Sequence, residues 1–241
     1  MCAGIADCGV LSMVWEDLLF AHWPVDPDLV DERLPEGLTV DTYDSDAYLG
    51  VVPFVMRDIG PRFAPVGLSF GELNLRTYVR ETADGPTSDA PDEGGRGVYF
   101  FNLDADDPLG VAVARSLFQL PYHRANMTID TAGDRVAFRS QRPDGTATFA
   151  AAYGPEGESF EPEPGSLAAF LTENYRFYTA DAGGRLWYGD IDHPRWELAP
   201  ASADFVTNEL FAVNGFDHPD GDPVLHFSER IRVTAGRIRR A

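Results

Sequence analysis

An α+β or β-barrel domain is the architecture this sequence predicts, and two observations carry the prediction. Short runs of alternating or continuous apolar residues recur along the chain, separated by Gly, Pro and Asp turns. Only two or three stretches carry a helical stripe, and they do not interleave with the strands as βαβ units would. At 241 residues one domain fits better than two. Such a chain buries roughly 70–75% of its unfolded surface, so its core needs neither disulfide nor metal.

Taken in order, residues 1–12 read as an unstructured extension and residues 13–241 as a single domain. Leu18 to Val25 is an apolar entry into a short amphipathic helix, capped by Asp26 or Asp28 and stopped by Pro35-Glu36-Gly37. Residues 38–56 read as a hairpin around Asp44-Ser45-Asp46, with Pro53 placing a bulge or strand end in its second arm. Phe70 to Arg80 alternates cleanly, with Glu72, Asn74, Arg76 and Tyr78 on one face and Leu73, Leu75 and Val79 on the other.

Residues 81–97 lack periodicity and are rich in Gly, Pro and acids, a loop insertion. Val98–Ala105 is a strand. Asp107-Pro108 then opens a helix over 108–119. Three strands follow around Met127–Asp130, Val136–Gln141 and Thr148–Tyr153. Ser166 caps a second helix to about Phe177, a Gly183-Gly184 hairpin joins Tyr178 to Tyr188, and Val224–Val233 is the last strand.

The charge balance is lopsided. Thirty-nine acids oppose nineteen bases, all of them Arg, for a net charge of −20. A field of that sign argues against nucleic acid or an anionic membrane as partner. Two settings fit it: a mesophilic acidic protein from a GC-rich genome, or a cytoplasm of molar salt that screens the repulsion. Five arginines in the last twelve residues suit pairing with the protein's own acidic surface or with a second subunit in a homo-oligomer. Cys2 and Cys8 make no disulfide framework, no leader is visible, and no apolar run approaches eighteen residues. The expected location is the cytoplasm.

The familiar phosphate-loop, dinucleotide, zinc-protease and serine-hydrolase motifs are missing, so no cofactor is expected. The histidines never recur at ligand spacing, so no metal site is expected either; Asp190 to His193 is the nearest approach and reads as a polar turn. Three segments could carry chemistry. The Glu72, Asn74, Arg76 face offers an acid, an amide and a guanidinium if it points into a barrel, and ordinary surface if it does not. Tyr122-His123-Arg124 places an acid/base candidate beside an anion binder, or else simply ends a helix. His226, Ser228 and Arg230 share a strand face but lack a visible Asp partner for nucleophilic catalysis.

The runs Leu19 to Val25, Leu34 to Leu38, Ala47 to Phe54, Glu72 to Val79, Gly97 to Ala105, Ala114-Arg115, Leu120 to Tyr122, Phe170 to Tyr175 and His193 to Leu198 together resemble the YqjF-like family, across roughly residues 14–235. That family is similar to acetoacetate decarboxylase. The resemblance implies an antiparallel β-barrel with helices packed outside and a central pocket. It also implies that Leu120-Pro121-Tyr122-His123 stands where the decarboxylase carries its imine-forming lysine, and that Glu72 matches its pocket glutamate. This chain has no Lys, so the resemblance supports the fold and the pocket but not the parent chemistry.

The function expected is a barrel that binds a small organic acid or ketone. As an enzyme it would be a lyase or isomerase, with Glu72, Tyr122 and His123 moving protons and Asn74, Arg76 and Arg124 holding the substrate. The alternatives are a non-catalytic binding module and a structural subunit. Two outcomes follow from composition alone. If the acidic surface is adapted to molar salt, the thermal midpoint rises between about 0.1 and 2 M KCl as screening tightens, and a flat or falling midpoint refutes that adaptation. Borohydride added with acetoacetate traps no adduct on any side chain, because the chain offers no ε-amine.

Overall fold

The computed structural model describes residues 10–62, 67–82, 95–108, 111, 119–181 and 183–241. The expected extension 1–12, the helix 108–119 and the loop 81–97 lie largely outside the described residues. The strands are β1 (Leu11–Val25), β2 (Leu38–Val40), β3 (Ala47–Pro61), β4 (Leu68–Glu81), β5 (Gly97–Ala105), β6 (Tyr122–Arg124) and β7 (Asn126–Ala132). They continue as β8 (Arg135–Gln141), β9 (Thr148–Pro155), β10 (Arg176–Ala180), β11 (Leu186–Asp192), β12 (Ala199–Asn208), β13 (Val224–Ala235) and β14 (Arg239–Arg240). Three short helices are described: α1 (Pro27–Asp31), α2 (Leu167–Thr172) and α3 (Leu210–Val213).

Strands β1, β3, β4, β5, β10, β11 and β13 close into a ring. Ala235 completes it, pairing with Leu11 on β1 and Ile191 on β11. Neighbours are antiparallel except at the β5–β10 seam, where Phe177 and Tyr178 run parallel to Val98 and Tyr99. From β13 the sheet leaves the ring through β12 into a meander of β9, β8 and β7. That second layer lies over the outer face of the ring. Leu73 and Leu75 therefore pack with Phe138, Phe149 and Tyr153 in one apolar cluster. This differs from the expectation that helices would cover them, because the meander occupies that face. Val79 packs separately with Leu38 and Tyr178.

The apolar entry is in truth the central strand. β1 pairs with β3 and β13 along nearly its whole length. Asp17, at φ 55°, forms a bulge in it, and the partner residues step from Glu16–Val55 to Ala21–Val51 across that point. The extra residue swaps the faces of β1: Met13 points into the ring before the bulge, and Leu18 and Phe20 after it. Pro53, which has no N–H to donate, lies in β3 between those two register points. The bulge expected near Pro53 thus exists, on the opposing strand.

Two sequence expectations change at element ends. Asp44 and Ser45 do form a tight turn with positive φ, but β2 pairs with β4 (Leu38 opposite Glu81) instead of forming a hairpin with β3. The second helix has Ser166 as its N-cap, yet it stops at Thr172 because Arg176–Ala180 is drawn into the ring as β10. Tyr178 does face Tyr188 across the expected hairpin.

The parallel seam depends on Gly97. A Cβ there would stand 2.7 Å from the carbonyl oxygen of Arg176 and 2.9 Å from the Tyr178 ring. Backbone cannot yield as a side chain can, so Gly97→Ala is expected to push β10 off β5 and destabilise the protein by roughly 1–3 kcal/mol in urea unfolding. A loss below about 0.5 kcal/mol, the scale of an ordinary surface substitution, would show that the seam tolerates separation.

Candidate functional site

Strand alternation settles the orientation of β4. Leu73 and Leu75 face the second sheet, so Glu72, Asn74 and Arg76 face the inside of the ring. Glu72 is only 3% exposed. The Tyr122 hydroxyl, brought up by β6 lying parallel to β5, donates to Glu72 Oε2 at 2.6 Å. The Asn74 amide reaches Glu72 Oε1 at 3.5 Å. Burial pushes the Glu72 carboxyl up to about 7, against the smaller opposing effects of these two hydrogen bonds and of Arg76. Burial and the neighbouring carboxylate together hold the Tyr122 phenol well above its usual value.

Arg76 is a partly buried cation without an anion among the described residues. Its Nη2 donates to Tyr78 Oη at 3.4 Å and to the Leu171 carbonyl at 3.3 Å, both neutral oxygens. The guanidinium carbon stands 5.3 Å from the centre of the Phe20 ring. Its Nε is buried without a partner, and among the described residues no carboxylate forms an ion pair with it. Tyr78 holds the arrangement together. Its hydroxyl proton goes to the Leu171 carbonyl at 2.6 Å, so the His22 Nε2–H donates to the same hydroxyl oxygen, also at 2.6 Å. Burial, then the Arg76 and His226 charges, drives the His22 pKa well below its ordinary value, so it adds no second positive charge beside Arg76. Gly50 makes room for that ring: a Cβ would lie 2.7 Å from His22 Cδ2.

Glu72, Arg76 and Tyr122 face a cavity of about 490 Å³, within the range of small-molecule sites. Most of its wall is apolar, including Met13, Trp15, Met56, Phe70, Phe100 and Trp196. Glu72, Arg76, Tyr122, Thr172, Asn174 and His193 are its polar side chains. The Asn174 amide nitrogen donates to the Phe170 carbonyl at 3.1 Å, which fixes the amide's orientation and leaves Oδ1 buried without a partner. His193 donates from Nδ1 to the Pro194 carbonyl at 2.8 Å and stacks on Tyr175 with ring centres 4.4 Å apart. The Trp15 indole nitrogen is another buried donor without a partner.

The structure thus gathers Glu72, Tyr122 and Arg76 at one cavity, with Asn74 supporting Glu72 from behind. It does not bring His123 and Arg124 there. Successive strand residues face opposite ways, so Tyr122 turns inward while His123 lies where it acts on Asp104, and Arg124 is exposed. Asp104 itself is held by Arg142, whose Nη2 and Nε lie 2.7 and 3.0 Å from its Oδ1. Nor do His226, Ser228 and Arg230 share a face, since Arg230 points outward to Glu16 at 3.5 Å. Among the described residues no group of three or more His, Cys, Asp and Glu could hold a metal. Asp190 is engaged by Arg176 at 2.7 Å.

Sequence reasoning missed His22, Tyr78, Thr172, Asn174, His193 and Trp15. The signal for five of them was present: His22, Tyr78, Thr172, Asn174 and His193 fall in the runs Leu19 to Val25, Glu72 to Val79, Phe170 to Tyr175 and His193 to Leu198 that carry the family resemblance.

Comparison with known proteins agrees with this architecture. The enduracididine biosynthesis enzyme MppR, solved with pyruvate, superposes with a TM-score of 0.67 at 13% identity, over 97% of this chain and 91% of that one. Acetoacetate decarboxylase from Legionella pneumophila superposes with a TM-score of 0.59 at 15% identity, over 99% and 92%. The fold is therefore acetoacetate decarboxylase-like. In sequence, the chain is 38% identical over 235 residues to the uncharacterized protein YqjF of Bacillus subtilis (strain 168), covering 96% of this chain and 92% of YqjF. The family model described as an uncharacterized conserved protein, DUF2071, matches residues 12–232, and so the chain belongs to the DUF2071 family.

Proposed function

We propose that the barrel binds a small organic acid or ketone and moves a proton beside its carbonyl, as a lyase or isomerase. One observation carries this reading. A buried carboxyl poised near neutrality, Glu72, faces the same cavity as the Arg76 guanidinium, which pairs with no carboxylate among the described residues. An acid/base group works best when its pKa lies close to the working pH, and a desolvated cation favours an anionic partner. A ligand carboxylate on Arg76 leaves the adjoining carbon on the Glu72 side. Glu72 then takes or returns the proton, while the Tyr122 hydroxyl stabilises its ionised form. The pyruvate bound by MppR supports a small keto acid as the kind of ligand such a barrel accepts.

The placement of His123 outside the cavity favours a second reading, a binding module without turnover. Proton NMR in D2O separates the two. With acetoacetate or pyruvate, an enzyme exchanges deuterium into the carbon beside the carbonyl, and Glu72→Gln slows this by about 100-fold or more. Ligand binding without exchange establishes the binding module. Binding that survives Arg76→Met unchanged, or no binding of any acid or ketone, overturns the proposal.

The Glu72 environment also sets a pH dependence of stability. Its folded pKa is raised from the ordinary 4.5 to about 7, so the native state keeps a proton that the unfolded chain has released. Stability from this group is complete below pH 4.5 and is lost as pH rises to about 7, on the order of 3 kcal/mol in all. Glu72→Gln removes this loss while keeping an oxygen for the Tyr122 hydroxyl. In urea unfolding, the stability of the variant relative to the wild type is expected to climb across that window. A constant difference would mean that Glu72 titrates normally.

A further inference from the structure

The ring orders the cavity wall from one end to the other. Leu68, Phe70, Glu72 and Arg76 follow one another along the inner face of β4 and all line the cavity. At ~3.3 Å per residue, Leu68 and Arg76 lie about 13 Å to either side of Glu72 along the strand. The Arg76 end is polar. There the Leu171 carbonyl, at the end of α2, meets Arg76 and Tyr78. Beyond it Thr172 and Asn174 reach the cavity, the latter with an unsatisfied buried oxygen.

The Leu68 end is wholly different. Register places Leu11 opposite both Pro61 and Ala235, Ile59 opposite Leu68, and Ile191 opposite Ala235. These six residues line that end of the cavity, and none carries a polar side chain. Between the two ends the wall is Met13, Trp15, Met56, Phe70 and Trp196, a thioether-rich and aromatic stretch that adapts to a flexible chain, with His193 beside Trp196 as its one polar ring among the described residues. A three- or four-carbon acid seated on Arg76 would leave this half of the cavity as unfilled apolar surface.

We propose that the ligand is a monocarboxylic acid with an extended apolar tail. Its carboxylate sits on Arg76, the chain that follows passes Glu72 and Tyr122, and the tail runs past Phe70 and Trp15 toward Leu11, Ile59 and Leu68. The charge is read at one end only, because the opposite end offers no cation among the described lining residues. This rests on the carboxylate site of the proposed function and adds to it the length and polarity of the remainder.

Calorimetric titration of the full chain with butanoate, octanoate and dodecanoate tests the idea, with octanol as the tail without the charge. From butanoate to octanoate, affinity should rise by up to about four-fold for each methylene that enters the apolar half. Arg76→Met should weaken all three acids and leave octanol unaffected. Ala235→Phe fills the apolar end, and should cost dodecanoate about ten-fold or more beyond any effect on butanoate. A thermal melt confirms that each variant folds. Butanoate binding as tightly as octanoate overturns the tail while the proposed function stands. Octanol binding as tightly as octanoate, or acids indifferent to Arg76→Met, overturns the placement of the carboxylate. Failure of every acid to bind removes both this inference and the reading on which it rests.

Discussion

Ring closure governs the rest of this structure. A closed sheet of seven strands takes its inner side chains out of bulk solvent and here leaves a cavity of about 490 Å³ among them. In such a space the Glu72 carboxyl cannot keep its solvent pKa, and the buried Nε of Arg76 is left without a hydrogen-bond partner. The cavity's chemistry is therefore a consequence of topology more than of any unusual residue. The same two side chains on the outer face of β4 would be an ordinary acid and base in water.

The chain treats its buried charges in two ways. Asp104, on β5, is nearly inaccessible and takes a two-toothed grip from Arg142, so both charges are cancelled where they lie. This couples the ring to the segment that follows β8 and leaves nothing for a ligand. Glu72, buried, and Arg76, partly buried, share the inner face of β4, yet they are not paired. Glu72 is held by a phenol and an amide, and Arg76 by a phenol and a backbone carbonyl. Neutral partners satisfy some hydrogen bonds and leave the charges uncancelled. His22 belongs to the same design, since it supports Tyr78 while remaining uncharged.

The alternation of β4 was legible because one of its faces meets a dry apolar layer and the other meets polar groups in the interior. Glu72 and Arg76 could be singled out from that pattern alone. β1 was illegible for the opposite reason. Leu19 and Ala21 face the second sheet while Leu18 and Phe20 face the ring interior, so both sides are apolar and period two disappears. The overlong second helix failed on shared vocabulary, since Phe177 and Tyr178 suit a helical stripe as well as a strand. Tyr122 and His123 are adjacent, and nothing in Leu120-Pro121-Tyr122-His123 says that a three-residue parallel strand will turn one inward and the other out. His193 read as a turn because its partners, Tyr175 and Trp196, come from elsewhere in the chain or from a stacked geometry that spacing does not encode.

The pairing of Leu11 with Ala235 has a consequence for how the molecule comes into being. β1 is the first strand described to leave the ribosome and β13 one of the last, and each supplies the other's edge. Until β13 arrives, one long edge of β1 has no partner, and the interior surface made by Trp15, Phe20 and Met13 is open to water. Contacts of such sequence separation form late and slowly, after the local β7–β9 meander has had time to assemble. The nascent protein thus spends most of its synthesis as an incomplete trough, and cellular yield depends on how long that unpaired edge can avoid a second copy of itself.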